Sequence, residues 1–464
     1  MTFREQIVRG GTFLVFRQGM GTILSFLSVL LVTRVIGPAN YGVFASAIGI
    51  ENAFYNISQL GIGVYLIRNE IEVEDYYHQA FSLLLGLGLM VIILTVVFLP
   101  LLVQWINMEM FESVARLLFF ALPFRLLSLV PLARLEKSMA YHLVARVELG
   151  GQIASLAVAV SLAFLGKGVW APTSGWITQN VLVFLLLYWI ARYKPMLIWK
   201  KELIRPMLSY SLGYSASMWI WQLRNLVKPL VVGRFAGAEG VGIIALAVRL
   251  VEILSFAKHA TWRLSIAVLA RLQQDKHRLL RALKEGSELQ VLMISPLLLA
   301  VALAGPFLLP LLFGAEWTDV MRVFPFIALA YTTNTLFNLI SSALFVLRYN
   351  WAVTWFHLVH VIILFGMSFL FVPERGVVGY GWAEIVAFTA YGLLYYQIGK
   401  RVGKVQLSLP MLWTFTFGLA YFWNWLGWIS FIPLIAVFLL PNSRNTILAH
   451  WNNSLKGVLW KVRS

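Results

Sequence analysis

The chain has no cysteine, which removes disulfides, thiol catalysis and cysteine-ligated metal sites from consideration. Charge is scarce as well. Asp, Glu, Lys and Arg make up 12% of the residues, about half the ~25% of a soluble domain. Acids are the scarcer sign, 20 against 37 Lys and Arg. A phosphate-binding loop is missing: Leu165-Gly166-Lys167-Gly168 lacks the upstream glycine and the following Ser or Thr. His357 and His360 sit in an aromatic-rich run with no acid at metal-ligand spacing. These absences argue against an enzyme, and neither a metal nor a cofactor is expected.

What the chain has in abundance is apolar sequence, 60% of all residues. Runs long enough to cross ~30 Å of hydrocarbon lie near residues 11–36, 41–67, 80–104, 114–134, 146–166 and 169–191. A second set lies near 206–232, 240–268, 288–313, 322–347, 351–372 and 377–399. A last block, Leu409 to Leu440, is interrupted at Asn424 and reads as a hairpin of two further helices. The expected fold is all-α and polytopic, with about fourteen transmembrane helices. The first run exceeds a signal-peptide core and lacks a small-residue cleavage site, so an uncleaved first helix is expected.

The net charge of +17 gathers at membrane edges, which explains it without a nucleic-acid partner. Arg134, Lys137 and Arg146 flank one turn. Arg192, Lys194, Lys200, Lys201 and Arg205 fill the connection near the middle of the chain. Further clusters are Arg271 to Lys284 and Lys400 to Lys404. The intervening turns usually carry one cation each, such as Arg34, Lys167, Arg234 and Arg375. The positive-inside rule then puts both termini and the Lys200–Lys201 connection in the cytoplasm, the basic tail with Lys456, Lys461 and Arg463 included. The acidic stretch Glu70, Glu72, Glu74, Asp75 contributes little to orientation.

The two halves resemble each other. TRVIGPANYGVFASAI at 33–48 aligns without gaps on GRFAGAEGVGIIALAV at 233–248, matching Arg34 with Arg234, Gly37 with Gly237 and Gly42 with Gly242. This points to a parallel duplication, and transporters often bind substrate between such halves.

Charges inside apolar runs mark the candidate site, because an ionised side chain near a bilayer centre costs at least ~2.5–3.5 kcal/mol unless it faces protein or water. Trp221, Arg224 and Lys228 share one helical face by their spacing. Arg224 lies about 27 Å along the helix from Pro206, in the outer half of the span. Lys228 either lines a cavity or snorkels to the outer surface. Arg249, Glu252, Phe256, His259 and Arg263 form a similar stripe. Arg249 and Glu252 suit either a fixed structural pair or a proton-linked switch. The first half supplies Arg17, open to snorkelling, with Glu51 and Arg125 deeper. Asn52, Tyr55, Asn56 and Gln59 accompany Glu51, and Asn334, Asn338 and Ser341 line another face; such polar stripes suit helix contacts or sugar hydroxyls. Arg17, Arg125, Arg224, Lys228 and Arg249 outnumber Glu51 and Glu252. Two or more arginines can hold a phosphate or pyrophosphate by forked hydrogen bonds, so an anionic head group is expected. Glu51 and Glu252 are the ion-coupling candidates.

On TRVIGPANYGVFASAI, RLEKSMAYHLVARVELGG, LVVGRFAGAEGVGIIALAVRL and LFGAEWTDV, the sequence resembles the Wzx-type polysaccharide flippases. These belong to the multidrug/oligosaccharidyl-lipid/polysaccharide exporter superfamily. The resemblance covers most of residues 1–400. It implies two six-helix lobes, 1–200 and 201–404, around a central cavity of alternating access, with residues 405–464 as a hairpin and tail peripheral to that core. It implies a substrate of oligosaccharide on undecaprenyl pyrophosphate, for O-antigen or exopolysaccharide, carried across the bacterial inner membrane. It also implies that Arg17, Arg125, Arg224 and Arg249 engage the pyrophosphate. Membrane lipids, a polysaccharide polymerase and a chain-length regulator are the expected partners. The competing readings are a lipid II flippase, a multidrug exporter with a more acidic cavity, and a non-transporting scaffold for polysaccharide assembly.

Overall fold

The computed structural model describes residues 3–68, 74–254 and 269–450, with side chains outside 3–17 and 210–218. The regular elements among them are helical. They are α1 (Phe3–Ser58), α2 (Ile62–Arg68), α3 (Glu74–Ile106), α4 (Phe111–Leu127), α5 (Leu129–Lys137), α6 (Tyr141–Phe164) and α7 (Trp170–Ala191). Then come α8 (Lys201–Leu223), α9 (Gly233–Leu254), α10 (Lys276–Phe313), α11 (Val320–Val346), α12 (Asn350–Ala387), α13 (Tyr391–Arg401), α14 (Ser408–Tyr421) and α15 (Ile432–Leu439). Among the described residues, eight helices are long and apolar enough to cross a membrane. The protein is an all-α, multi-pass membrane protein.

Three of the expected turns between spans are breaks at a single glycine inside one helix, at Gly37 in α1, Gly237 in α9 and Gly376 in α12. At 56 residues, α1 would be about 84 Å long if straight, far more than one span. It breaks at Gly37, with φ 75° and ψ 171°. Helix α9 breaks at Gly237, with φ 69° and ψ −174°. This region of backbone space is essentially restricted to glycine. The two copies of the repeat thus put the same residue in the same conformation, 200 positions apart.

The run expected as one helix over 206–232 is irregular at its end. Helix α8 stops at Leu223, Arg224–Leu226 tightens into a 3₁₀ turn and Lys228–Val232 widens into a π-helical turn. Pro229 has no N–H for the regular ladder, which accounts for the register change at this point.

The chain divides into two compact units. The first holds the described residues up to Ala245 together with Leu312–Trp317 and Ser368–Gly379. In it α6 and α7 approach closely: a Cβ on Gly175 would stand 2.8 Å from the Ser155 carbonyl oxygen. Small residues at a helix interface permit such an approach. Val32 and Ile36 of α1 pack on Ala159, Ala163 and Ala171. The connection after α7 is bound down rather than loose. The Ile198 N–H donates to Ser82 Oγ at 2.9 Å and the Lys200 N–H to Gln79 Oε1 at 2.7 Å. Tyr193 stacks on His78 and bonds it at 3.1 Å, and burial raises its phenol above the ordinary value. Lys200 pairs with Asp75, and Arg134 with Glu74 at 2.8 Å, so several of the basic clusters meet the acidic start of α3 at one end of this unit.

The second unit holds Leu246–Leu311, Thr318–Met367 and the described residues from Tyr380 onward. Helix α10 begins after Asp275, whose Oδ1 accepts the Arg278 N–H at 3.0 Å; that bond holds the carboxyl below its ordinary range. Residues 441–450 are tied to α10 by His450 Nε2, 3.1 Å from Glu288 Oε2. Trp413, near the start of α14, stacks on Phe438 and donates to Ser443 Oγ at 3.1 Å, so the chain doubles back. Trp413 and Tyr421 are fully buried, and the Tyr421 hydroxyl lies 3.0 Å from Thr332 Oγ1 and donates to the Ser295 carbonyl at 3.3 Å. Aromatic residues whose polar atoms found partners on α10 and α11 drew the hairpin into the unit.

Tyr421→Phe keeps the ring and deletes these bonds. It should lower unfolding free energy by about 0.6–1.7 kcal/mol, the range for hydrogen bonds between membrane helices. Thermal unfolding in detergent should show the loss; an unchanged melting temperature would mean that the hydroxyl contributes nothing.

Candidate functional site

Within the first unit the site is built around a carboxylate. Glu51, on the second half of α1, has a fully buried side chain. Arg125, in the last turn of α4, meets it through one nitrogen: Nη1 donates to Glu51 Oε2 at 2.9 Å and Oε1 at 3.3 Å. The same nitrogen donates to Asn52 Oδ1 at 2.8 Å. The guanidinium lies 3.6 Å from the centre of the Tyr55 ring and 6.0 Å from that of Trp176, a cation–π arrangement strengthened by exclusion of water. Leaving either charge uncompensated in such a place costs about 3–5 kcal/mol. Arg125 therefore has a structural obligation to Glu51 ahead of any ligand.

The irregular end of α8 lies against the same part of α1. Trp219 Nε1 donates to the Asn56 carbonyl at 3.0 Å, and Pro229 faces Gly49. Between these fixed points the Arg224 guanidinium lies 4.6 Å from the centre of the Trp221 ring, so the expected common face holds for that pair. Arg224 and Lys228 are half-buried. A π-helical turn re-aims side chains and occurs frequently at functional sites.

In the second unit Arg249 Nη1 stands 3.3 Å from Glu252 Oε2, and the Tyr331 hydroxyl donates to Glu252 Oε1 at 3.3 Å. Asn334 Nδ2 donates to the Tyr391 hydroxyl at 2.9 Å, and Tyr391 stacks on Phe337 with ring centres 5.0 Å apart. Asn338 Nδ2 is buried with no hydrogen-bond partner among the described residues, a donor of the kind that calls for explanation.

The equivalence of the two acids is looser than the 200-residue offset suggests. Glu51 corresponds to Val251, which is fully buried, whereas Glu252 is 42% exposed. One residue along a helix turns the side chain by about 100°, so the two carboxylates do not occupy equivalent faces of their helices. The backbone at Arg17 is helical, but its side chain, like Phe256, His259, Arg263 and the basic tail beyond residue 450, lies outside the described residues. Sequence reasoning found Glu51 and Arg125 without pairing them, and it missed Trp176, Trp219, Tyr331 and Tyr391. Tyr331 had a signal, three residues before Asn334 on one face; Trp176 had none.

The model of a family described as "Polysaccharide biosynthesis protein" matches residues 31–322. The succinoglycan biosynthesis transport protein ExoT of Rhizobium meliloti (strain 1021) is 23% identical over 313 residues, 66% of this chain. The chain spans 62% of that relative's own length. Among solved structures, the lipid II flippase MurJ in an inward closed conformation superposes with a TM-score of 0.71 at 13% identity. The match covers 97% of this chain and all of that one. An inward-facing multidrug resistance MATE family transporter of the MOP superfamily gives 0.64 at 15% identity, over 83% and 99% of the two chains. At these identities the structural likeness establishes the fold, and the family model establishes kinship: the chain belongs to the polysaccharide biosynthesis protein family, on the fold of MOP-superfamily transporters.

Proposed function

We propose that this protein is a flippase that moves an oligosaccharide on undecaprenyl pyrophosphate from the cytoplasmic to the outer leaflet of the bacterial inner membrane, by alternating access between two six-helix lobes. Kinship supports polysaccharide biosynthesis and the fold supports transport. The charge balance carries the choice of head group. Arg125, Arg224, Lys228 and Arg249 stand against Glu51 and Glu252, and the two carboxylates are already matched by Arg125 and Arg249. Charge-assisted, forked hydrogen bonds suit a phosphate or pyrophosphate. The amides of Asn334 and Asn338, with the aromatic faces of Phe337 and Tyr391 nearby, suit sugar. A multidrug exporter for cations would be expected to reverse this balance, and a scaffold without transport would need no cations at this depth.

Both paired arginines meet a carboxylate, but Glu51 is fully buried and Glu252 is 42% exposed. Arg125 is therefore read as holding the wall, and Arg224 and Arg249 as the phosphate ligands. Arg224→Ala and Arg249→Ala should each remove a contact of about 1.5–3 kcal/mol. Flipping of a lipid-linked oligosaccharide by purified protein in vesicles should then fall roughly ten- to hundredfold, with Arg→Lys restoring part of it. Full activity in both alanine variants would end this assignment.

Orientation follows from the basic clusters. Lys201 and Glu239 are both exposed, and the cysteine-free chain accepts single cysteines as reporters. Glu239→Cys should react with an impermeant thiol reagent in intact cells and Lys201→Cys only after lysis. The opposite pattern would invert the topology.

Energy coupling is assigned to Glu51 and Glu252, since acids paired with arginines inside a membrane often mark proton or ion pathways. Vesicle transport should accelerate under an inward proton gradient in wild type and lose that response in Glu252→Gln. The half-exposed Glu252 is the informative variant, because Glu51→Gln also strips Arg125 of its carboxylate. Wild-type transport indifferent to the gradient would leave consumption of the delivered glycan by a polymerase as the driving step.

A further inference from the structure

At one end of the first unit the two copies of the repeat are joined by contacts that come in exchanged pairs. Arg34 Nη1 donates to the Leu312 carbonyl at 3.3 Å, and Arg234 Nη1 donates to the Trp105 carbonyl at 3.2 Å. Arg34 and Arg234 are equivalent under the 200-residue offset. Trp105 and Leu312 are each the penultimate residue of their helices, α3 and α10. Each arginine therefore caps the end of a helix from the opposite half.

Two tryptophans also bond across the halves, one in each direction, without being equivalent under the offset. Trp105 Nε1 donates to the Leu230 carbonyl at 2.7 Å, and Trp317 Nε1 donates to the Thr33 carbonyl at 3.3 Å. The glycines complete the exchange. A Cβ on Gly42 would fall 1.7 Å from the Ala238 carbonyl oxygen, and one on Gly242 would fall 2.1 Å from that of Pro38. The pairs 42/242 and 38/238 swap under the same offset. The backbones touch here because neither helix carries a side chain at the crossing, and contacts of Cα–H with carbonyl oxygen add to the approach.

The chemistry of the joint is that of a contact made and released. The last carbonyls of a helix lack partners within the helix, and a cation beside them is favoured by the helix dipole; water can take the place of both. Arg34 and Arg234 are exposed, so their bonds are individually weak. We propose that this exchanged joint is a latch: it holds its end of the molecule shut in one transport state, and both arginine caps let go together when that end opens. The symmetry is what couples them, since rotating one half against the other lengthens equivalent contacts equally. The proposal rests on the transport reading above, in which this is the outer end.

The test uses purified full-length protein in lipid nanodiscs with Ser46→Cys as reporter, a fully buried position one turn beyond Gly42. Its rate of reaction with a polar maleimide reads opening. Arg34→Ala and Arg234→Ala should each raise that rate about three- to tenfold, the double variant by the product, and Arg→Lys at either position should return it towards wild type. Gly42→Ala and Gly242→Ala alter neither arginine and should raise it as well, which keeps the test available if an arginine variant fails to fold. Rates unchanged in the folded variants, with melting temperature alone affected, would reduce the contacts to static caps and overturn the latch. Labelling needs no substrate. A chain whose labelling responds but which flips no lipid-linked glycan would refute the proposed function and keep the latch; one that flips while its labelling stays fixed would do the reverse.

Discussion

A carboxylate inside an apolar helical bundle is tolerated only with a cation and hydrogen-bond donors within reach. Glu51 meets that condition through Arg125, and the need fixes much around it. Arg125 spends one nitrogen on the carboxylate and on Asn52, and its plane lies over Tyr55. The second half of α1 and the end of α4 are thereby locked together, with Phe54 set edge-on against Phe119. Trp219 then ties α8 to Asn56, one turn past Asn52. The polar stripe Asn52, Tyr55, Asn56 is thus partly consumed in holding helices.

The segment that follows, Arg224 to Val232, is shaped by a defect. A regular helix through Arg224 and Lys228 would keep the ladder closed and the side chains on a strict 3.6-residue spacing. Pro229 prevents this, and the chain answers with a tight turn followed by a wide one. Backbone groups freed inside a membrane must be satisfied by protein or face water, so such an irregularity belongs beside a polar space. The cation cluster and the backbone break are therefore two expressions of one constraint.

Much of this was legible in the residues. The apolar runs gave the multi-pass helical class, with eight helices among the described residues long and apolar enough to span against about fourteen expected. The matched segments 33–48 and 233–248 located two turns whose glycines adopt the same restricted conformation. What escaped was long-range pairing. Nothing local links Glu51 to Arg125, 74 positions on, because both are simply charges in apolar runs until the fold brings α1 to α4. The packing of the hairpin at Ser408–Leu439 escaped for a similar reason. Its partners for Tyr421 and Trp423, namely Thr332, Ser295 and Ala302, lie about ninety or more positions earlier in the chain.

The repeat also separates what duplication kept from what it released. At the Gly37 and Gly237 turns the two copies retain residue identity, backbone conformation and exchanged contacts, because a symmetric joint constrains both copies at once. Fourteen residues beyond each turn the constraint lapses. The first copy buries a carboxylate at Glu51 and reaches across to another helix for its cation. The second buries Val251 at the equivalent position and moves its carboxylate one residue on, to be matched by Arg249 within the same helix. A substrate with a charged phosphate at one end and a polar glycan at the other has no two-fold symmetry. Two halves that met it with identical walls would present the same chemistry to both ends. Symmetry at the joint with asymmetry at the walls is what the proposed lipid-linked glycan would ask of a duplicated fold.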